Sequence, residues 1–167
     1  MHINNLNTDE TENRYWDKDL WGTPVDDFNN ACKHFNFYPK LDVCGEYTNQ
    51  KCPKVLTPSI DSLSQEWDEP FFMNPPYSEN KRGKWIYRAC EQGRKHGVSF
   101  LVLVYSKTDT AWWHDCIGST MTEIRKNKVK LLFVKGRMNF LTPTNEESAN
   151  SAPYPNVWLF FDYGRKV

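Results

Sequence analysis

Apolar residues recur along this chain in two periods. In "TPVDDFNNACKHF", Val25, Phe28, Ala31 and Phe35 fall near a spacing of 3.6, which predicts a helix capped by Thr23 with Pro24 at its first position. Short apolar segments at "KLDVC", "KVLTP" and "PFFMN", separated by turn-rich polar stretches, read as strands. "KWIYRACEQGRKHG" returns to helical spacing, with Trp85, Ile86, Ala89 and Cys90 on one side and Gly97 as the stop. "VSFLVLVYS" is apolar almost without interruption, as a strand buried on both faces must be. A helix around "TAWWHDCIGS" follows, then strands at "VKLLFVKG", "RMNFL" and "NVWLFFDY". Strands alternating with helices predict an α/β fold, a mostly parallel sheet with an antiparallel C-terminal hairpin. Ligands bind such sheets at the carboxyl ends of strands, so the places to examine lie just after "LDV", "FFM" and "LVLVYS".

Length and composition narrow this picture. At 167 residues, 39% of them hydrophobic, the chain reads as one domain over 19–167, preceded by a polar, patternless arm over 1–18 that is expected to be flexible. No apolar run approaches the ~20 residues that span a bilayer, and the acidic start lacks the parts of a signal peptide. An intracellular protein without a membrane partner is therefore expected. Five cysteines, an odd number, read as reduced thiols. Cys32, His34, Cys44 and Cys52 form no paired ligand spacing, so no metal is expected.

Net charge is zero, which argues against a wholesale polyanion binder. Its distribution is uneven. Residues 1–30 hold seven acids against two bases, whereas Lys81, Arg82, Lys84, Arg88, Arg94 and Lys95 cluster in one segment and Arg125, Lys126, Lys128, Lys130, Lys135 and Arg137 in another. The two basic segments could form one face for a phosphate backbone, or serve as ordinary solvated surface.

The most specific chemistry lies in "FFMNPPYSEN". Asn74 sits where a strand ends, and Pro75 and Pro76 cannot donate to a ladder, so pairing stops there. The rigid turn presets two acceptors, the Asn74 side-chain oxygen and a neighbouring carbonyl, with Tyr77 beside them as a stacking surface. Two acceptors and a ring suit the exocyclic amine of a flat base. Pulling the amine hydrogens out of plane would localise its lone pair and aim it at an electrophile such as a sulfonium methyl, so catalysis would rest on positioning rather than a strong base. A rigid loop with a packed tyrosine is the plainer alternative.

"FFMNPPYSENKRGKWIYRACEQG", "YSKTDTAWWHDCI", "VKGRMNF" and "APYPNVWLFF", together with "WGTPVDDFNNA" and "LDVCGEYTNQKCPKVLT", resemble the small phage and prophage DNA N-6-adenine-methyltransferase (Dam) family from about Asp19 to Phe161. The resemblance implies a Rossmann-like S-adenosyl-L-methionine-dependent methyltransferase acting on adenine in DNA. It implies that Asn74 and the Pro75 carbonyl hold the amine, that Pro76 stiffens the turn, and that Tyr77 stacks on the flipped base. Asp42, with Val43 and Cys44, takes the place of the cofactor motif, and Thr23 and Pro24 match the segment that closes over the methionine end. Asp61 matches an acidic position near the adenosine. For DNA the candidates are Lys81, Arg82, Lys107 and one tryptophan of the adjacent pair, Trp112 being favoured over Trp113; Asp109 reads as the cap of their helix and His114 as a surface residue. "DVCGEYTNQ" departs from the glycine-rich cofactor motif of larger amino-methyltransferases, and no segment is long enough for a separate target-recognition domain. A cytosine amine, RNA or a protein amide remains an alternative acceptor, and a non-catalytic nucleic-acid-binding module a third reading.

Overall fold

The computed structural model describes residues 18–142, 144 and 151–164. The expected N-terminal arm falls almost wholly outside them. A 3-10 turn at Lys18–Leu20 leads into α1 (Val25–Phe35), and the strands are β1 (Leu41–Asp42), β2 (Lys54–Val55), β3 (Phe71–Met73), β4 (Phe100–Tyr105), β5 (Val129–Phe133) and β6 (Asn156–Phe161). The helices α2 (Glu79–His96), α3 (Ala111–Cys116) and α4 (Met121–Lys126) fill the intervals after β3 and β4.

The sheet order is β2-β1-β3-β4-β6-β5. β2, β1, β3 and β4 pair in parallel, and β6 runs antiparallel to both β4 and β5. β5 therefore points the same way as β4, and the reversed last strand is inserted between them. This is the mostly parallel, Rossmann-like arrangement expected from the sequence.

Side chains of a strand alternate between faces, and this sheet buries both. On one face Phe71, Met73, Phe100, Val102, Val104 and Leu159 pack with Ile86 and Ala89 of α2 and Trp112, Trp113 and Cys116 of α3. On the other Phe72, Leu101, Leu103, Tyr105 and Trp158 pack with Phe28, Ala31 and Cys32 of α1 and with Met138, Phe140 and Ala152. All six residues of β4 are buried, as its unbroken apolar run requires.

Several local expectations are corrected. "RMNFL" forms no ladder: Met138 and Phe140 alternate into the α1 face, and Leu141 makes an isolated bridge with Gly22. Its period-2 pattern reflects burial without a neighbouring strand edge. Pro24, not Thr23, occupies the N-cap position of α1, so the helix starts one residue later than expected, and no side chain caps that end. α2 starts at Glu79 rather than near Lys84. Thr110, not Asp109, holds the N-cap position of α3, its hydroxyl turned back to the Lys107 carbonyl at 2.8 Å. α4, a helix the sequence reading did not expect, carries a complete capping box, Thr120 with Glu123.

Candidate active site

β1, β3 and β4 end on the same side of the sheet, and the turns that leave β1 and β3 enclose a cleft of two adjoining chambers. The smaller, about 60 Å³, is lined by Asp19, Gly22, Thr23, Asp42, Lys51 and Asn74 among others. The larger, about 220 Å³, is lined by Val43, Leu56, Asp61, Leu63, Pro76 and Trp85 among others. Asp19, Cys44, Pro58 and Asn74 border both.

Asp42 is the last residue of β1 and is 3% exposed. Its two oxygens accept backbone N–H groups from the loop that follows, Oδ1 from Cys44 at 3.2 Å and Oδ2 from Lys51 at 3.1 Å. Burial outweighs these donors and pushes its pKa up to about 6. Gly45 turns so tightly that a Cβ would stand 2.7 Å from both Asp42 Oδ2 and Val55 Cγ2. Beneath the larger chamber, Ser62 Oγ donates to the Val43 carbonyl at 2.8 Å and Trp67 Nε1 to the Ser62 carbonyl at 3.0 Å. Trp85 lines this chamber and stacks on Trp67 at 6.0 Å.

Asn74 follows β3 directly. Its Nδ2 donates to the Trp21 carbonyl at 3.0 Å, and only the amide nitrogen can meet a carbonyl, so the partner fixes which end is oxygen. The remaining atom, Oδ1, is buried without a partner. Thr23 Oγ1 is a second buried polar atom without one. No described residue donates a hydrogen bond to the Pro75 carbonyl. The turn therefore presents Asn74 Oδ1 as an unsatisfied acceptor where the cleft meets the end of β3, whereas Pro75 lines neither chamber.

A strap running from Asp19 to Thr23 covers this place. Asp19 Oδ1 accepts from Ser78 N at 2.7 Å, and Oδ2 accepts from Ser78 Oγ at 2.8 Å and Lys81 Nζ at 3.0 Å. Burial alone would raise the Asp19 pKa, but these donors together bring it below its ordinary value. Further along, Gly22 exchanges backbone bonds with Leu141 at 2.9 and 2.8 Å and passes so close to Asn49 that a Cβ would lie 1.8 Å from its amide nitrogen. Asp19, Lys51 and Trp85 are among the site residues to which sequence reading gave no role. Asp19 makes its contacts 59 residues away, and no local pattern marks that.

Thr23, Asp42, Val43, Cys44, Asp61, Asn74 and Pro76 all border the cleft, whereas Pro24 borders neither chamber. Tyr77 is not an open platform. It is 2% exposed, with the Tyr105 ring 4.3 Å away, Phe140 edge-on at 5.3 Å, and its hydroxyl donating to the Leu103 carbonyl at 3.4 Å. The turn folds its most apolar member into the α1 face, so a base would reach the ring only after a rearrangement. Arg82 is likewise buried at 4% exposure, its guanidinium 5.5 and 5.1 Å from the Tyr77 and Tyr105 rings and donating to the Tyr77 carbonyl; it is not at the surface to meet a phosphate. Trp112 and Trp113 are both core, because α3 packs both against α2 and the sheet. Lys107 is half-buried with Nζ 4.2 Å from the centre of the Tyr154 ring, and Lys81 is exposed in its ion pair with Asp19.

Cys32, Cys44 and Cys52 are free thiols, and among the described residues no three His, Cys, Asp or Glu side chains gather as a metal site. No helix of the described residues is long and apolar enough to cross a membrane.

The family model for DNA N-6-adenine-methyltransferase (Dam) matches residues 10–165. A DNA N-6-adenine-methyltransferase of Haemophilus phage HP1 (strain HP1c1) is 28% identical over 147 residues, covering 87% of this chain and 80% of the phage protein. No solved structure matches the chain. Since the family model spans nearly all of a chain with the fold and cleft just described, the protein belongs to the DNA N-6-adenine-methyltransferase (Dam) family.

Proposed function

We propose that the protein transfers a methyl group from S-adenosyl-L-methionine to the exocyclic amine of an adenine flipped out of DNA, with Asn74 at the reacting centre. The observation that carries this reading is the buried, unpartnered Asn74 Oδ1 at the border of both chambers. An acceptor left unsatisfied in a native interior costs free energy, on the order of 1–3 kcal/mol, and such cost is characteristic of a site waiting for a donor.

The cleft suits the cofactor. Water-sized space of about 60 Å³ corresponds to roughly four water positions, room for an amino-acid head group beside Asp42 and Thr23. The larger chamber, with Leu56, Ile60, Leu63 and Trp85 on its walls and Asp61 on its rim, suits the adenosine. When bound, the cofactor supplies an electrophilic sulfonium methyl group. The chain's own part is to hold the acceptor amine: Asn74 Oδ1 and the Pro75 carbonyl each take one hydrogen, which localises the lone pair, while Pro75 and Pro76 keep both acceptors from relaxing. Within a duplex the amine is out of reach, so the base must leave the stack at a cost of a few kcal/mol.

The test is transfer of labelled methyl from S-adenosyl-L-methionine to DNA, followed by digestion to nucleosides. Label on N6-methyl-2′-deoxyadenosine supports the reading, label on a cytosine derivative or on protein moves the chemistry to another acceptor, and absence of label from a folded protein that binds no cofactor favours a non-catalytic module.

A further inference from the structure

We propose that Lys51 is the receptor for the α-carboxylate of the bound cofactor, acting with the Thr23 hydroxyl, and that Asp42 faces the α-ammonium of the same head group. This rests on the cofactor reading above.

Lys51 lies on the loop that leaves β1, and its backbone N–H is fixed to Asp42 Oδ2 at 3.1 Å. Its ammonium lines the smaller chamber and is held at Asn49, donating to the backbone carbonyl at 2.8 Å and to the side-chain oxygen. An ammonium has three donors, and Asn49 uses two; one N–H is left. Among the described residues Lys51 meets no carboxylate within 4.0 Å, Asp42 acting on it only from further away, in contrast to Lys54, Lys81, Lys95 and Lys130, each of which does. Burial lowers its pKa, as expected for a cation drawn out of water without a full counter-charge.

The buried Asp42 lines the same chamber, and its oxygens each accept one backbone N–H and keep a further lone pair. Thr23 Oγ1, on a residue that also lines this chamber, is buried and has no partner among the described residues. The chamber thus offers a spare cation donor and a spare hydroxyl on one hand, and a carboxylate on the other, with the two charges not in contact. That is the complement of an amino-acid zwitterion, whose two carboxylate oxygens take the two donors and whose ammonium faces Asp42. The close passage of Asn49 beside Gly22 holds the lysine's own anchor in place.

The experiment is calorimetric titration of the full chain with S-adenosyl-L-methionine and with the analogue lacking only the α-carboxylate. Wild type should bind the complete cofactor roughly tenfold or more tightly than the analogue. Lys51→Met should lose that factor for the complete cofactor and leave the analogue within about twofold. Lys51→Arg, which keeps the charge, should retain most of the preference. Equal loss for both ligands in Lys51→Met, or no loss for either, overturns the role of Lys51 while leaving the cofactor reading intact. Should Lys51→Met fail to fold, the absence of any preference in a folded Lys51→Arg overturns it instead. A folded wild type that binds neither ligand overturns the cofactor reading, and this inference with it.

Discussion

Truncating Tyr77 would empty a space bounded by Tyr105, Phe140 and the Arg82 guanidinium. Tyr77→Ala should therefore cost about 3–5 kcal/mol in chemical denaturation, as large aromatic deletions from a core do, whereas Tyr77→Phe gives up only a long hydroxyl bond and should stay within about 1 kcal/mol of wild type. A Tyr77→Phe variant as unstable as Tyr77→Ala would contradict this placement. It follows that loss of transfer in Tyr77→Ala cannot distinguish stacking from packing, and Tyr77→Phe is the informative variant. Asp42 is the other residue with a measurable signature. Its folded pKa, about 6, lies above the ordinary aspartate value of 3.8, so the unfolded chain gives up this proton first and the Asp42 contribution to stability falls as pH rises from about 4 to about 6. A bound ammonium favours the ionised carboxylate, so the rise in melting temperature produced by S-adenosyl-L-methionine should be larger at pH 7 than at pH 5. Equal rises at both would remove Asp42 from the head-group contact.

The strap and the turn after β3 act as one element because Asp19 supplies the cap that α2 cannot supply itself. Ser78 stands at the N-cap position but makes no side-chain cap bond; its hydroxyl and N–H both go to Asp19. Asp19→Ala should destabilise the fold by roughly 1–2 kcal/mol and Ser78→Ala, which keeps the backbone N–H bond, by less, and the two should couple in a double-mutant cycle because the Ser78 Oγ–Asp19 bond is lost in both. Additive losses would show that the strap is not tied through this pair. The same contact explains what was legible at this scale. β1, β3, β4, β6 and the body of α2 carry periodic apolar patterns strong enough to be read directly, and the acceptors of the N-P-P-Y turn follow from chemistry that proline dictates. The first turn of α2, the irregular course of 137–141 and the inward fold of Tyr77 depend on partners far away in sequence: Asp19, Gly22, Leu103 and Phe140. Local pattern contains no record of these.

At the scale of the molecule, the sheet's polarity decides which charges can serve the cleft. α2 starts at the carboxyl end of β3 and returns to the amino end of β4, so Arg94 and Lys95 lie at the far end of the sheet from Asn74. Glu66 engages Arg88, Lys95 and His96, and Glu91 engages Arg88, so Arg88 and Lys95 of the first basic segment are paired with carboxylates. β5 runs parallel to β4, which brings the exposed Lys135 and Arg137 to the cleft's end. Under the proposed function, charge reversal at Lys135 and Arg137 should weaken DNA binding and flatten its salt dependence, while reversal at Arg94 and Lys95 should do neither. The opposite ranking would place the DNA at the wrong end of the sheet. The most direct measurement of the central claim compares wild type with Asn74→Ala in cofactor binding and in labelled methyl transfer to DNA, with the product identified as a nucleoside. The account predicts label on N6-methyl-2′-deoxyadenosine from wild type, and in Asn74→Ala a loss of transfer on the order of a hundredfold or more that far exceeds the change in cofactor affinity. Transfer that survives in Asn74→Ala, or label found on any acceptor other than the adenine amine, would contradict it.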